Sequence, residues 1–350
     1  MKRELSVAPE LEALPSKSTG DRGDGRPNQV PQVLNVAELL SLQVSAPEMQ
    51  IEEFLPASGA SLMFGAPKSG KTVLAVQVAL AIATGAPLLG RHRILKSGGA
   101  LIVEQDDPAG TASVKDILLH SRVSVEGVPF YFVPRVPFTF GIQLLEWLED
   151  QIVSRELRLV VLDSYTALRG PRGSRVDIVK AEQSDLNLLD ALAKRTGCCI
   201  IVVHHDSKGS AALDWSQKAA GTFAMTASTE AQIHISRFGE LDSNAKERLV
   251  RIRGRHLEGL ELVLRFRKES MDYDHVLEGG AAPFYPLVLQ LQTNFGTQSF
   301  GPRELSLLTG VSRATAGRLI NRLYQSGALN KSSFGQYRLT MGGERERTER

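Results

Sequence analysis

ASLMFGAPKSGKT, residues 60–72, decides the fold. Its closing stretch, Gly65-Ala66-Pro67-Lys68-Ser69-Gly70-Lys71-Thr72, fits the phosphate-loop pattern G-x-x-x-x-G-K-[ST] without a mismatch. Ahead of the loop, Ala60–Phe64 is a nearly continuous apolar run of strand length; behind it, Thr72–Ala83 reads as a helix. Strand, glycine-rich turn and helix in that order let successive backbone N–H groups point inward at an anion. The helix N-terminus adds a favourable dipole. Lys71 then reaches the β- and γ-phosphates of a nucleotide, and the Thr72 hydroxyl ligates Mg²⁺. The implied ligands are ATP and Mg²⁺.

Outward from the loop, Ala100–Glu104, Arg158–Leu162 and Cys199–Val203 are further apolar runs, as expected of strands covered on both faces. Ile142–Arg155 and Val176–Thr196 read as helices between them. This alternation predicts an α/β fold with a parallel sheet flanked by helices. After Ala231, QIHISRF, RLVRIRG and LELVLRF follow one another without helices and are expected as antiparallel additions at one edge of the sheet.

Acids and histidines cluster where such a sheet binds ligands, at the carboxyl ends of its strands. Asp163 ends one strand and is placed to hold Mg²⁺ through water. Glu104-Gln105-Asp106-Asp107-Pro108 ends another; Glu104 and Asp106 are two apart and share a side if the strand continues, so either can activate the attacking water. His204-His205 ends a third, at the position of a γ-phosphate sensor. A metal centre built on histidine is disfavoured, since the chain has 7 His and no Cys/His ligand spacing.

Composition narrows the class. In 350 residues, 42% are hydrophobic and 23% charged, which excludes a wholly disordered or collagen-like chain. Lys+Arg 41 against Asp+Glu 39 means that any basic surface must arise by local segregation. Cys198 and Cys199 are the only cysteines and are adjacent, which excludes a disulfide-built fold. MKRELSVAPELEALP lacks the apolar core of a signal peptide. The run from Val73 to Leu89 is broken by Gln77, Thr84, Gly85 and Pro87, so no membrane span and a cytoplasmic location are expected.

The expected organisation is a disordered arm over 1–35, rich in Pro, Gly, Ser and charge, then an ATPase domain over 36–276. A linker, 277–286, leads to a winged-helix domain over 287–341 and a flexible tail over 342–350. In the winged-helix segment PRELSLLTG and SRATAGRLINRLYQSG read as helices joined at Gly310-Val311-Ser312, with Ser312 as cap, and ALNKSSFGQYRLT as a hairpin. From Phe284 to Thr340 six basic residues, Arg303, Arg313, Arg318, Arg322, Lys331 and Arg338, face one acid, Glu304. Leu319, Ile320 and Leu323 form the expected buried stripe of the second helix, while Thr315, Arg318 and Arg322 fall on another face, as on a DNA-reading helix. The alternative for such a fold is docking of a protein partner.

The phosphate loop, ATGAPLLG, ALIVEQDD, VVLDSYTAL, HHDSKG and RIRGRHLEGLELVLRF form an ordered series from about Pro47 to Phe266. It resembles the RecA-fold hexameric ATPases of the plasmid RepA type, AAA-family ATPases related to DnaB-type replicative helicases and, more distantly, to KaiC. The resemblance implies a RecA-like P-loop core, a homo-oligomeric ring, a hexamer, with nucleotide between subunits, and action on DNA. Carried over by position, Lys71 and Thr72 are the Walker A pair and Asp163 the Walker B acid. Asp106 aligns with the family's catalytic glutamate but is one methylene shorter, so that Glu104 substitutes or turnover is slow. His204 or His205 fills the sensor position, and Arg253 and Arg255 match an element whose arginine reaches the next subunit's site. The sequence departs from the family at Ala220-Gly221-Thr222, where Arg-Gly-Ser is common. The functional expectation is an ATP-driven helicase or translocase of replication or repair. Its alternative is a nucleotide-switched DNA-binding regulator or loader with slow turnover.

Overall fold

Runs such as Leu157–Asp163 and Cys199–His205 carry apolar side chains on both faces, which a strand can bury only between two helical layers. The computed structural model of the chain describes residues 33–42, 47–106, 109–170, 177–206, 228–238, 246–278 and 284–340. The expected arm up to residue 32, Asp107-Pro108, Val176, Ala220-Gly221-Thr222, linker residues 279–283 and the tail lie outside them. Described residues 33–42 belong to one unit, and those from Pro47 onward to a second. In the first, α1 (Val36–Ser41) is closed by reciprocal caps. The Glu38 N–H donates to Asn35 Oδ1 (3.0 Å) and the Asn35 N–H to Glu38 Oε2 (2.7 Å).

The second unit opens with a short antiparallel pair, β1 (Met49–Ile51) and β2 (Leu55–Pro56). The main sheet then takes β3 (Gly59–Gly65), β4 (Gly99–Glu104), β5 (Phe130–Val133), β6 (Leu157–Asp163), β7 (Cys199–His205), β8 (Ala231–Arg237), β9 (Glu247–Gly254), β10 (Leu257–Arg267) and β11 (Asp272–Glu278). Their spatial order is β11-β10-β9-β8-β3-β7-β6-β4-β5. The helices between them are α2 (Lys71–Thr84), α3 (Gly110–Leu119), α4 (Ile142–Ser154), α5 (Tyr165–Arg169) and α6 (Ile178–Thr196).

Side-chain alternation sorts the sheet into two faces. Met63, Ile102, Val161 and Val203 pack with α2 and α3; Leu62, Val103, Leu162 and Val202 pack with α4, α5 and α6. A sheet that is parallel at its centre and helix-covered on both faces agrees with the expected α/β class. One expectation is corrected. β8 is not an antiparallel addition but runs parallel to β3, pairing Ser61 with Ala231 and Phe64 with His234. The stretch from His205 to Ala231 is long enough for the crossover that a parallel neighbour requires. Among the described residues the antiparallel additions to this sheet are β9, β10 and β11.

Beyond β11, helices Tyr285–Phe295, Pro302–Thr309 and Arg313–Gln325 precede a hairpin of β12 (Leu329–Ser333) and β13 (Gln336–Leu339). Leu291, Phe300, Leu305, Ile320 and Leu323 make its core, which continues onto Leu249 of β9 and Val263 of β10. Ser312 caps the last helix, its Oγ accepting from the Thr315 N–H (3.2 Å). The buried stripe of that helix is Ala316, Ile320 and Leu323, because the 3.6-residue period leaves Leu319 only half-buried. Tyr285 is fastened to the sheet: its hydroxyl donates to Glu247 Oε1 (2.9 Å) and accepts from Arg265 Nη2 (3.0 Å). Burial pushes the Tyr285 phenol up to about 12. Among the described residues no helix is long and apolar enough to cross a membrane.

Candidate nucleotide site

Strand register builds the site. Glu104 pairs with Asp163 across β4 and β6, and Gly65 with His205 across β3 and β7. Continuing each strand's alternation puts all four on the α2 face, at the carboxyl edge. The loop from Gly65 to Thr72 closes over that edge. Lys68 (φ 60°) and Gly70 (φ 98°) take left-handed conformations, the alternation that turns successive N–H groups into a concave anion cradle. Gly65 leaves no room for a side chain, since a Cβ there would lie 2.2 Å from the Ile235 carbonyl oxygen.

Lys71 is buried and donates to the carbonyl oxygens of Gly65 (2.9 Å) and Ala66 (3.0 Å). Burial pushes its ammonium below the usual lysine range, against the pull of Asp163, Asp206 and Asp106. Thr72 Oγ1 donates to Asp163 Oδ2 (2.8 Å). Burial raises the Asp163 carboxyl, opposed by the Thr72 hydrogen bond and the Lys71 charge. Around them is a cavity of about 370 Å³ whose lining includes Lys71, Thr72, Glu104, Asp163, His205 and Met271. The donor set fits a magnesium nucleotide. A hydroxyl and a carboxylate side by side are the hard oxygens that Mg²⁺ prefers. The buried Ser69 Oγ has no hydrogen-bond partner among the described residues and suits a phosphate oxygen.

Glu104 and Asp106 both line this cavity but differ in burial and partners. β4 stops at Glu104, so the shared side expected of Glu104 and Asp106 does not form. Glu104 is 3% exposed and lies against the first turn of α3, its Oε1 accepting from the Asp106 N–H (2.9 Å). The Asp106 side chain is half-exposed and its Oδ2 sits 3.2 Å from His205 Nε2. His205 Nδ1 in turn lies 3.4 Å from Lys71 Nζ. Both contacts are satisfied at once when the imidazole carries its proton on Nε2.

His204, expected beside His205 as the sensor, points the other way. Alternation sends it to the α5–α6 face, where its ring lies 5.8 Å from that of Tyr165. Burial lowers its pKa to about 4. Arg253 and Arg255 also stand away from the loop. Arg253 pairs across β8 with Gln232 and donates to it (Nε to Oε1, 3.3 Å); Arg255 Nη1 is 3.7 Å from Glu230 Oε1. Arg253 is therefore level with Leu62, halfway along β3, and Arg255 lies beyond it, away from the edge where Gly65 stands.

Residues 26–211, more than half of the chain, match the family model described as an AAA domain. The chain belongs to this AAA domain family. Family and geometry together make it a P-loop ATPase. The AAA chain is also similar to the crystal structure of the RadB recombinase, at 17% identity and a TM-score of 0.45, over 62% of this chain and 90% of that one. No curated protein matches it.

Sequence reasoning missed three neighbours of the AAA chain's loop. Arg248 Nε donates to the Ser69 carbonyl oxygen (2.8 Å). The Tyr273 hydroxyl abuts Gly70, where a Cβ would come within 1.8 Å of it. Gly110 lets α3 approach Glu104. Arg248 had a signal in its parity with buried Val250 and Ile252, whereas Arg251 and Arg253 fall on the other face. Tyr273 and Gly110 carried none.

Proposed function

We propose that this P-loop ATPase hydrolyses ATP and acts on DNA as a ring-forming translocase or helicase. The observation that carries the catalytic half is the convergence of Lys71, Thr72, Asp163 and Glu104 on one cavity. Thr72 and Asp163 would hold Mg²⁺, which when bound would offset charge on the nucleotide's phosphates. Lys71 and the N–H groups from Gly65 to Thr72 bind the phosphates. Glu104 orients and deprotonates the attacking water, a role its burial and its pairing with Asp163 favour over Asp106. His205 links Lys71 to Asp106 and takes the sensor role in place of His204.

The ring rests on Arg253 and Arg255. They are too far along the sheet to serve their own loop, and a rigid, permanently charged guanidinium suits the site of a neighbouring copy. Action on DNA rests on the C-terminal unit, read as a winged helix, whose Arg318 and Arg322 are exposed on the Ser312-capped helix. The test is ATP turnover with and without single-stranded DNA, joined to a strand-displacement assay. Stimulation with displacement supports the proposal. Tight nucleotide binding, slow unstimulated turnover and site-specific duplex binding would replace it with the switched regulator.

A further inference from the structure

We propose that Arg248 and Tyr273, contributed by the antiparallel strands, are positioning residues that set one peptide of the phosphate loop for nucleotide binding; this rests on the ATPase reading above. The Ser69–Gly70 peptide is the target. Arg248 Nε holds the Ser69 carbonyl from outside the loop at 2.8 Å. In a planar trans peptide the N–H points opposite to the C=O. Pinning the Ser69 oxygen outward therefore aims the Gly70 N–H inward, at the phosphates.

Tyr273 closes the other side of that peptide. Its hydroxyl occupies the space where a Cβ of Gly70 would stand, leaving only 1.8 Å between them, and it is hydrogen-bonded to Arg248. Gly70 has φ 98°, a conformation that an L side chain rarely adopts, so fold and contact both demand glycine. Tyr273 is itself clamped to α2. Its N–H donates to Gln77 Oε1 (3.0 Å), and Gln77 Nε2 donates to its carbonyl oxygen (2.8 Å). The Gln77 amide thus acts as a further strand partner, and β11 cannot drift from the helix that follows the loop. Arg248 and Tyr273 touch the loop backbone and no reacting atom, so their effect falls on binding before chemistry.

The experiment measures affinity for a fluorescent ADP, together with KM and kcat for ATP, in the wild type, Arg248→Gln, Arg248→Lys, Tyr273→Phe and the double variant Arg248→Gln/Tyr273→Phe. Arg251→Gln, which loses a partner (Glu261) on the opposite face of β9, is the control. We expect Arg248→Gln to weaken ADP binding and raise KM by roughly tenfold or more, the loss of a charge-assisted hydrogen bond, with kcat within a few-fold. Arg248→Lys recovers part of the affinity. Tyr273→Phe shifts it in the same direction, and the double variant is less than additive because both residues hold one peptide. Arg251→Gln binds as the wild type. Equal ADP affinity in wild type and Arg248→Gln overturns the inference, as does an equal loss in Arg251→Gln. Failure of the wild type to bind ADP overturns the ATPase reading instead.

Discussion

Replacing Gly110 by alanine isolates the role of Glu104 without touching a phosphate ligand. A Cβ at Gly110 would stand 2.3 Å from Glu104 Cγ and 2.7 Å from its Cδ, where ordinary contact begins at 3.4 Å. The glutamate must retreat by about 1 Å, and a misplacement of that size can cost on the order of 10²-fold in rate. Stability moves less. Alanine gains up to about 1 kcal/mol in helix propensity at the start of α3, against roughly 1–3 kcal/mol for overpacking a buried contact. A net loss of about 0–2 kcal/mol leaves a folded protein. The assay is ATP turnover at saturating nucleotide, with ADP affinity and urea unfolding measured on the same preparation. We expect Gly110→Ala to bind ADP normally and to turn over ATP about 10²-fold more slowly. Turnover within about threefold of the wild type, with folding and binding intact, would refute Glu104 as the group that handles the attacking water, because the shift would then be harmless.

Four further outcomes follow from the same geometry. Lys71→Ala should abolish ATP turnover while circular dichroism reports a folded chain; a normal rate would move the nucleotide site elsewhere. Glu104→Gln should lower kcat roughly 10²–10⁴-fold and Asp106→Asn far less, and the reverse order would restore Asp106 as the base. The His204 pKa of about 4 lies below the unfolded value near 6.5, so below pH 6.5 the unfolded chain binds a proton that the native one refuses. Stability should therefore fall by about 2 kcal/mol between pH 7 and pH 5, and urea titrations of His204→Gln should lack that part of the slope. Arg255→Ala should bind ATP yet hydrolyse it roughly 10³-fold or more slowly, and subunit exchange with Lys71→Ala protein should restore part of the rate. A flat response to mixing ratio, with exchange verified, removes the trans arginine.

The phosphate loop was legible because one local segment carries its own chemistry, strand, turn, cation and hydroxyl within Ala60–Thr72. Asp163 was legible for a related reason, an acid closing an apolar strand. The choice between Glu104 and Asp106 was not. It depends on where β4 stops and on α3 crowding against Glu104, and neither is a property of the strand's own residues. His204 and His205 are alike in sequence, and only the strand's parity separates a cavity residue from a core one. The parallel course of β8 was hidden as well, since an apolar run does not state its direction. Arg248 was one of several arginines in RLVRIRG, and sequence resemblance singled out Arg253 near the far end of the same strand and Arg255 just beyond it.

Strand β9 brings these observations to one place. Three consecutive residues meet two different parts of the molecule: Glu247 accepts from Tyr285 of the C-terminal unit and Leu249 enters the same C-terminal core, while Arg248 between them holds the phosphate loop. Alternation requires this division, since neighbours on a strand face opposite sides. A tilt of β9 is therefore felt by the loop and by the C-terminal helices together, and any coupling that results must act equally in both directions. Its size along this route is bounded. The Arg248 bond is a charge-assisted hydrogen bond of about 1.5–3 kcal/mol, so breaking it changes nucleotide affinity by no more than roughly 10–150-fold. Coupling beyond that bound requires a second route, and the opposite end of the same strand, where Arg253 and Arg255 face away from their own loop, is where a neighbouring copy would supply one.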